Sequence, residues 1–345
     1  MTASMHDHGE PVRGHGGTTD RRRFLQAGVG ALAAPSTLLL ARRADAAGND
    51  PMRILCSGPA GSVPDLIARA VADQLWVTAG LRALVDNRPG AAGQISVGAL
   101  KGAAADGSTL LLAQGAVATL YPHIYPKLTY AVSDLEPVST AGEMTLALAV
   151  GPAVPASVGS MRDLMAWMRS QPRLANVGSP GTGTLPHLLE AMLMREAGTA
   201  WQHIAYSGGP PAVVALLGGQ IAALVLPEGL FSEHRTSGRL RVLATSGAQR
   251  TVLMPDVPTL VEQGYADLAV REWFAFFMSP RVSPRQVVER SKVLRLALAQ
   301  SELAAAFANA GIVSMSSTPE VLSARIATER RLWEPIVRAL DVRVE

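Results

Sequence analysis

Cysteine is almost absent from this sequence, since Cys56 is the only one among 345 residues. A single thiol cannot form an intramolecular disulfide, so folds that depend on disulfides are excluded and stability must come from a hydrophobic core. Hydrophobic residues make up 48% of the chain, which is sufficient for such a core. We interpret Cys56 as a buried strand residue, because the residues before it lack the small side chain that lipid attachment requires.

Motifs for phosphate cofactors and for catalysis are also missing. No Gly-Lys dipeptide occurs, so there is no P-loop, and Gly181 and Gly183 are followed by Pro186 where the dinucleotide fingerprint requires its third glycine. Nucleophile elbows, Cys-x-x-Cys pairs and His-Glu-x-x-His stretches do not occur. We therefore predict neither a cofactor nor a metal. Metal-ligand spacing is likewise missing among the histidines after residue 46, which are His123, His187, His203 and His234.

The sequence also lacks an apolar run long enough to span a membrane. The apolar stretch 27–41 is shorter than the roughly 20 residues of a membrane helix and is interrupted by a proline. It follows three arginines at residues 21–23 and precedes a small-residue triplet that ends at Ala46. This order predicts a cleavable export signal of the twin-arginine type over residues 1–46, cleavage near Ala46, and a periplasmic location. A basic disordered leader is the alternative.

Charge of one sign is not in excess either. The whole chain has 31 basic and 28 acidic side chains, and residues 1–46 contain six arginines and four acids. The rest of the chain therefore holds 25 basic and 24 acidic residues and is nearly neutral. We expect no nucleic-acid partner, because nucleic-acid-binding proteins concentrate basic residues on one surface.

What is present is an alternation of short apolar runs and helix-like stretches, which is typical of an α/β fold with a largely parallel sheet. The block after residue 278 is helical and has too few strands to form a domain alone. We therefore predict a discontinuous first domain, residues 47–150 and 272–345, and an inserted second domain, residues 151–271. The predicted strands begin at Met52, Leu84, Thr109, Ala175, Trp201, Ala222, Leu240 and Glu272.

Three junctions between a strand and a helix share one design, in which glycine and hydroxyl residues precede the helix. They are residues 57–62, 178–184 and 206–210. In a parallel sheet such loops lie at the carboxyl ends of strands, where open α/β proteins bind ligands. The free N–H groups and the macrodipole of a helix start favour an anion. We expect a small carboxylate or phosphate to bind there.

Six short blocks carry a resemblance to one family, in the family's order along the chain after residue 46. They are residues 87–93, 106–111, 125–130, 206–209, 217–220 and 255–259. These blocks resemble signature sequences of the extracytoplasmic solute receptors of tripartite tricarboxylate transporters, the Bug or TctC group. The resemblance implies a type II periplasmic-binding-protein fold, whose two domains close on a small organic carboxylate and deliver it to membrane subunits.

The resemblance also implies a ligand site. The family's first loop, an aromatic followed by Pro-Pro-Gly-Gly and an Asp, is similar to residues 58–62 with Asp65, although the aromatic is missing and one glycine is serine. An aspartate common in the second domain is replaced by Leu226, with Glu228 two residues further on. The predicted site consists of Gly58, Pro59, Ala60, Gly61, Ser62, Asp65, Gln114, Gly115, Ser179, Gly181, Thr182, Gly183, Thr184, His187, Tyr206, Gly208 and Gly209.

We expect a monomeric receptor that catalyses no reaction. Backbone N–H groups and the hydroxyls of Ser62, Thr182 and Thr184 would hold carboxylate oxygens, while two chain crossings between the domains would absorb a hinge motion. Asp65 is either a site residue or simply an acid favoured in a first helical turn. Trp273 either lines the cleft or is a buried strand aromatic.

Two other functions stay open on the sequence alone. A secreted hydrolase could use Ser179 or Ser207 as its nucleophile with His187 as its base, although neither serine lies at a recognisable spacing from the histidine. A receptor-like sensory partner of a signalling protein would share the same fold and the same site. The sequence offers no motif that separates this last function from transport.

Overall fold

The computed structural model describes residues 51–340, so the predictions about residues 1–46 lie outside the described part. The chain first forms β1 (Met52–Cys56), α1 (Val63–Ala79), β2 (Ala83–Asn87), α2 (Gln94–Lys101), β3 (Thr109–Gln114), α3 (Ala116–Thr119), α4 (Tyr121–Ile124) and β4 (Glu136–Val150). It continues with α5 (Met161–Ser170), β5 (Asn176–Ser179), α6 (Leu185–Glu196), β6 (Gln202–Ala205), α7 (Gly209–Leu217), β7 (Ala223–Pro227), α8 (Gly229–Arg235) and β8 (Arg241–Thr245). The last elements are β9 (Arg271–Met278), α9 (Pro284–Leu298), α10 (Ser301–Asn309), β10 (Ile312–Ser314) and α11 (Pro319–Leu340).

Helix α1 shows how the local sequence sets the limits of an element. Ser62 precedes the helix in an extended conformation, and Pro64 lies in the first turn, where no N–H donor is needed. Ile67 and Leu75, two turns apart, are buried on one face. The helix ends at Gly80, whose φ of 64° is the left-handed conformation that glycine adopts most easily.

The strands form one sheet with the order β2-β1-β3-β9-β4-β7-β5-β6, and β8 and β10 also pair with β4. β1 pairs in parallel with β2 and β3, and β5 pairs in parallel with β6 and β7. In contrast, β9 pairs antiparallel with β3 and β4, and β4 pairs antiparallel with β7, β8 and β10. The expectation of a largely parallel sheet is therefore wrong for its centre.

Strand β4 runs through both halves of the molecule. Its residues 136–145 pair with β9, whereas residues 146–150 pair with β7. One hydrophobic cluster contains Ile54 and Phe276, and another contains Leu148 and Val225. We call residues 51–145 and 271–340 the first lobe, and residues 146–270 the second lobe. That these lobes are domains with independent motion stays a prediction.

The C-terminal helices pack on the first lobe. Leu294 of α9 lies in the same buried cluster as Ile67 of α1, and Leu322 of α11 lies in a cluster with Tyr121 of α4. Among the helices formed by residues 51–340, we find none with both the length and the apolar character needed to cross a bilayer.

Candidate functional site

A cleft with a volume of about 1010 Å³ lies at the carboxyl ends of β1, β3, β5, β6 and β7. The first lobe contributes residues from the loops at 57–64, 89–94 and 125–127, which we call the first wall. The second lobe contributes residues from the loops at 180–184 and 206–209, which we call the second wall. The loops that the sequence singled out therefore meet across one cleft.

The structure separates the seventeen predicted site residues into two groups. Whether the lining residues contact a ligand stays a prediction. Those that line the cleft are Gly58, Pro59, Ser62, Gln114, Gly181, Thr182, Thr184, Tyr206, Gly208 and Gly209. Those that do not line it are Ala60, Gly61, Asp65, Gly115, Ser179, Gly183 and His187.

Asp65 holds the loop of the first wall in place. Its carboxylate accepts hydrogen bonds from the N–H of Gly61 at 3.0 Å and from Nδ2 of Asn87 at 2.9 Å, and pairs with Arg69 at 3.0 Å. Nδ2 of Asn87 also donates to the carbonyl of Gly58 at 3.0 Å, which ties the loop to the end of β2. Burial alone would raise the pKa of Asp65, but these hydrogen bonds outweigh burial and hold the pKa below its usual value.

A strained turn faces the cleft from the first wall. Ala91 and Ala92 have φ angles of 46° and 52°, in the left-handed region that residues with a Cβ rarely adopt. Nε2 of Gln114 and the hydroxyl of Tyr121 both donate to the carbonyl of Ala92, at 2.6 and 2.8 Å. Such strain, roughly 1–3 kcal/mol per residue, persists only where the surroundings fix it. Gln114 and Tyr121 are the groups that fix it here.

Two of the three predicted hydroxyl donors bond to their own loops. Oγ of Ser62 donates to the carbonyl of Pro59 at 2.6 Å, and Oγ1 of Thr184 donates to the carbonyl of Gly181 at 2.7 Å. A hydroxyl carries one hydrogen, so in this arrangement these two groups have none left for a ligand. The Thr182 hydroxyl makes no such bond within residues 51–340, so it is the one of the three that is free to donate into the cleft.

Behind the second wall, His187 stacks on His203 with a distance of 3.8 Å between the ring centroids. Nδ1 of His187 accepts a hydrogen bond from the N–H of Gly183 at 3.0 Å, and Nε2 of His203 lies 2.8 Å from Oγ of Ser179. Burial lowers the pKa of His187 to about 3, with a smaller contribution from His203, and burial lowers the pKa of His203 to about 4. Both rings are therefore neutral at pH 7.

This arrangement does not favour the hydrolase alternative. Ser179 pairs with His203 rather than with His187, is fully buried and does not line the cleft. Ser207 does line the cleft, but its hydroxyl has no histidine partner among the described residues. A nucleophile has to reach the substrate and a base at the same time, and neither serine does so.

Gly115 packs against an indole ring that leaves no room for a side chain. A Cβ at this position would overlap the indole ring of Trp273. The ring is fixed because Nε1 donates to Glu329 at 2.8 Å and the Arg325 guanidinium stacks 4.5 Å from its centroid. Trp273 is 4% exposed and does not line the cleft, so of the two interpretations the structure supports the buried strand aromatic.

Four helices of eight or more residues begin at the cleft, which suits it to an anion. No side chain within residues 51–340 caps any of the four. The N–H groups of Thr182, Ser207 and Gly209 likewise have no acceptor in the described part of the chain. Unsatisfied donors and the positive ends of helix dipoles attract negative charge. The residues that precede α1, α2, α6 and α7 and line the cleft are Ser62, Gly93, Thr184 and Gly208.

The two walls touch at one side of the cleft. The hydroxyl of Tyr125, in the first wall, donates to the carbonyl of Thr182, in the second wall, at 3.0 Å. A Cβ on Gly183 would lie 2.6 Å from the same hydroxyl, so only glycine allows this approach. A Cβ on Gly208 would lie 3.1 Å from the ring of Pro59, which marks a second contact.

Several residues that line the cleft were not predicted from the sequence. Tyr125 lies in a block that carried the family resemblance, and that block was the only available signal. Leu226 lines the cleft and Glu228 does not, so the wall is apolar where the family often has an aspartate. Glu272 and Phe274 line the cleft because β9 runs antiparallel and brings its first residues there. A parallel strand would have brought its last residues to the cleft, so the predicted parallel sheet did not place Glu272 and Phe274 there.

Two α/β lobes joined by a central strand, with an anion-suited cleft between them, define the class of periplasmic solute-binding proteins. The chain belongs to the tripartite tricarboxylate transporter family receptors, whose family model matches residues 67–342. It is 32% identical to protein BugT of Bordetella pertussis over 297 residues, which are 86% of this chain and 90% of BugT. The resemblance stated from the six blocks is thereby confirmed.

Solved structures show the same fold. The periplasmic binding protein BugD superposes with a TM-score of 0.79 at 23% identity, over 86% of this chain and 99% of BugD. MatC from Rhodopseudomonas palustris, with bound malate, superposes with a TM-score of 0.76 at 22% identity, over 83% of this chain and 98% of MatC. The predicted periplasmic-binding-protein fold is confirmed.

Proposed function

We propose that this receptor binds a small organic carboxylate in the cleft, delivers it to membrane subunits of a transporter and catalyses no reaction. The observation that carries the proposal is the opening of four helix N-termini without side-chain caps onto one cleft. Membership of the receptor family supports it, and so does the malate bound to MatC, a protein with the same fold.

The carboxylate oxygens would accept hydrogen bonds mainly from the backbone. The free N–H groups of Thr182, Ser207 and Gly209 lie on the second wall, and the Thr182 hydroxyl is a fourth donor beside them. Hydrogen bonds to an ionised acceptor are about twice as strong as those between neutral groups. A fixed set of such donors can therefore replace the water lost by the carboxylate.

Closure of the two lobes would enclose the ligand. Strand β4 and the segment before β9 are the two places where the chain passes between the lobes, and they are the proposed hinge. In this proposal the first lobe, residues 51–145 and 271–340, moves as one domain and the second lobe, residues 146–270, as the other. The hydrogen bond from Tyr125 to Thr182 joins the walls and would stabilise the closed form.

The location of the receptor belongs to the same proposal. We infer that residues 1–46 direct export by the twin-arginine route, that cleavage occurs near Ala46, and that the exported receptor is a monomer. Mass spectrometry of the periplasmic protein should give an N-terminus at or next to Ala47. Replacing Arg21 and Arg22 by lysine should keep the protein in the cytoplasm if the twin-arginine route is used.

A thermal-shift screen tests the ligand class. The purified protein is heated with mono-, di- and tricarboxylates, aromatic acids and amino acids, with inorganic phosphate and sulfate as anion controls. A true ligand at one hundred times its dissociation constant should raise the free energy of unfolding by about 2.7 kcal/mol. A protein that no acid stabilises, or that phosphate stabilises most, would contradict the proposal.

The Thr182→Ala variant tests the placement of the site. Loss of one hydrogen bond to a charged ligand should weaken binding of the best acid by about 1–2 kcal/mol, or roughly 5- to 30-fold. Thr236→Ala, on the exposed end of α8 in the same lobe, is the matched control and should bind normally. Calorimetric titration measures both, and an unchanged affinity in Thr182→Ala would remove this hydroxyl from the site.

A further inference from the structure

Glu272 is a buried acid that faces the cleft without a partner. It is the second residue of β9, is 8% exposed and lines the cleft. Within residues 51–340 its carboxyl group accepts no hydrogen bond and forms no ion pair, and burial alone raises its pKa to about 7. Buried polar groups in native proteins nearly always have a partner. A group from outside this part of the chain is therefore expected to supply one.

The other buried acids of the described chain differ from Glu272. Asp65 has the three partners described above, and Glu228 accepts a hydrogen bond from the Thr251 hydroxyl at 2.7 Å. Glu190 also has no partner, but both of its oxygens are inaccessible to solvent and it does not line the cleft. Glu272 combines an unpartnered carboxyl group with access from the cleft.

The neighbouring cations are engaged elsewhere. Arg271 pairs with Glu143 at 3.0 Å, and Arg325 pairs with the same carboxylate at 3.0 Å. On the strands beside β9, Glu272 lies opposite the neutral Met144 of β4. Among the described residues, Lys127 is the one cation that lines the cleft, and it is exposed on the loop after α4. Within residues 51–340, no cation therefore compensates the charge of Glu272.

We propose that Glu272 determines specificity in this cleft, and that the ligand is a carboxylic acid whose second polar group is an ammonium or amide N–H donor. The inference rests on the proposed function, in which the helix N-termini hold the carboxylate. An N–H donor would satisfy the Glu272 carboxylate, and an ammonium group would also neutralise it. A dicarboxylate would instead place a second anion beside Glu272 in a water-poor site, where like charges repel strongly.

Matched probes test this specificity. Dicarboxylates, their monoamides and ω-amino acids, each with three to six carbons, are titrated calorimetrically into the purified protein at pH 8. We expect an ω-amino acid or monoamide to bind at least tenfold more tightly than the dicarboxylate of the same length. Glu272→Gln should abolish this preference and bind the dicarboxylate at least tenfold more tightly than the unmodified protein does. Glu228→Gln, a buried acid outside the cleft whose pKa is also about 7, should retain the preference.

The pH dependence of binding tests the same inference without a variant of Glu272. As the pH falls from 8 to 6, Glu272 takes up a proton, so dicarboxylates should bind more tightly and ω-amino acids less tightly. Burial raises the pKa values of Tyr121, which interacts with Glu272, and of the cleft residues Tyr125 and Tyr206 above their usual value near 10. None of these tyrosines changes charge between pH 6 and 8. Glu228 also has a pKa of about 7, so the same pH series is run on Glu228→Gln, which should give the same result.

The results of these titrations either support or overturn the proposed role of Glu272. Inverted preferences in Glu272→Gln, or opposite pH dependences of the two probe classes, would support the inference. Dicarboxylates that bind most tightly at pH 8 and equally well to Glu272→Gln would overturn it and leave the proposed function intact. Failure of all three series to bind the unmodified protein would overturn both. If Glu272→Gln does not fold, the pH series on the unmodified protein gives the answer.

Discussion

The two walls of the cleft hold their loops in place by different chemistry. In the first wall, the ionised Asp65 receives hydrogen bonds from Arg69, Asn87 and a backbone N–H. Behind the second wall, two neutral imidazoles stack, and each bonds to the neighbouring loop. A charged cluster thus holds the loop of the first wall in place, whereas an uncharged cluster holds the loop of the second wall. The walls should consequently respond to different conditions.

The pKa values give the two pH windows. The pKa of Asp65 is lowered, so its contribution to stability is complete above the unfolded value near 3.9 and is lost only as the pH falls further. The histidines in the unfolded chain take up protons near pH 6.5, but His187 and His203 in the folded protein do so only near pH 3 and 4. The unfolded state therefore binds more protons below pH 6.5, and the second wall loses stability there.

The largest effect is expected from Asp65→Asn, which should break the first wall. Removing the charge weakens three hydrogen bonds at once, so we expect the free energy of unfolding to fall by about 2–3 kcal/mol. The loss should be the same at pH 5 and pH 7, since Asp65 is ionised at both. Denaturant unfolding measures it, with Asp73→Asn on the exposed side of the same helix as the control. Equal stability of the two variants would show that the Asp65 cluster does not brace the wall.

His203→Gln tests whether this histidine causes the pH response of the second wall, because glutamine can still bond to Ser179 but cannot titrate. Between pH 6.5 and 5 one such histidine removes about 2 kcal/mol from the free energy of unfolding of the native protein. The buried Glu228 and Glu272 act in the opposite direction, since a raised pKa favours the folded state as the pH falls from 7.

For His203→Gln we therefore compare the free energy of unfolding of the variant with that of the native protein. The difference between the two should shrink by about 2 kcal/mol as the pH falls from 7 to 5. Denaturant unfolding at both pH values provides it. A difference that does not change with pH would mean that His203 takes up its proton near pH 6.5 in the folded protein as well, so that the second wall gains charge below that pH.

The smallest effect is expected from Tyr125→Phe, which tests whether the walls act together. The variant loses the single hydrogen bond to the carbonyl of Thr182, so the closed form should be less stable by about 1 kcal/mol. Because only the closed form encloses the ligand, affinity for the best acid should fall roughly fivefold. Calorimetric titration checks this, and Tyr130→Phe, whose hydroxyl bonds within the first lobe, should bind normally.

Most elements of the fold could be predicted from the sequence, because apolar periodicity and glycine or proline boundaries are local signals. The capping Ser160 before α5 is one example, and its hydroxyl does accept from the N–H of Asp163. The fifteen-residue strand β4 was not predicted. Its register shifts twice along β9, at Pro137 and Thr140, so no simple alternation marks it. The missing strand also explains the wrong expectation about strand direction.

The loops of the site could be predicted, but the roles of their side chains could not. The sequence predicted three hydroxyls as ligand donors, but those of Ser62 and Thr184 bond within their own loops. His187, which follows the second of these loops, stacks on His203 behind the wall. Glu272 gave no local signal, because a single acid at the start of a strand is ordinary. Its character depends on burial and on the pairing of the neighbouring arginines with Glu143, and both are properties of the tertiary structure.

Cys56 has a practical consequence. Its thiol is fully buried beneath the first loop, with Sγ 3.7 Å from the carbonyl oxygen of Gly58, and burial raises its pKa to about 11. Only the thiolate reacts with alkylating dyes, so the native protein should remain unlabelled at pH 7. A cysteine placed at the exposed Ala60 would then be the one position that takes a fluorophore. The receptor can therefore carry a single fluorophore beside its cleft and serve as an optical sensor of its own ligand.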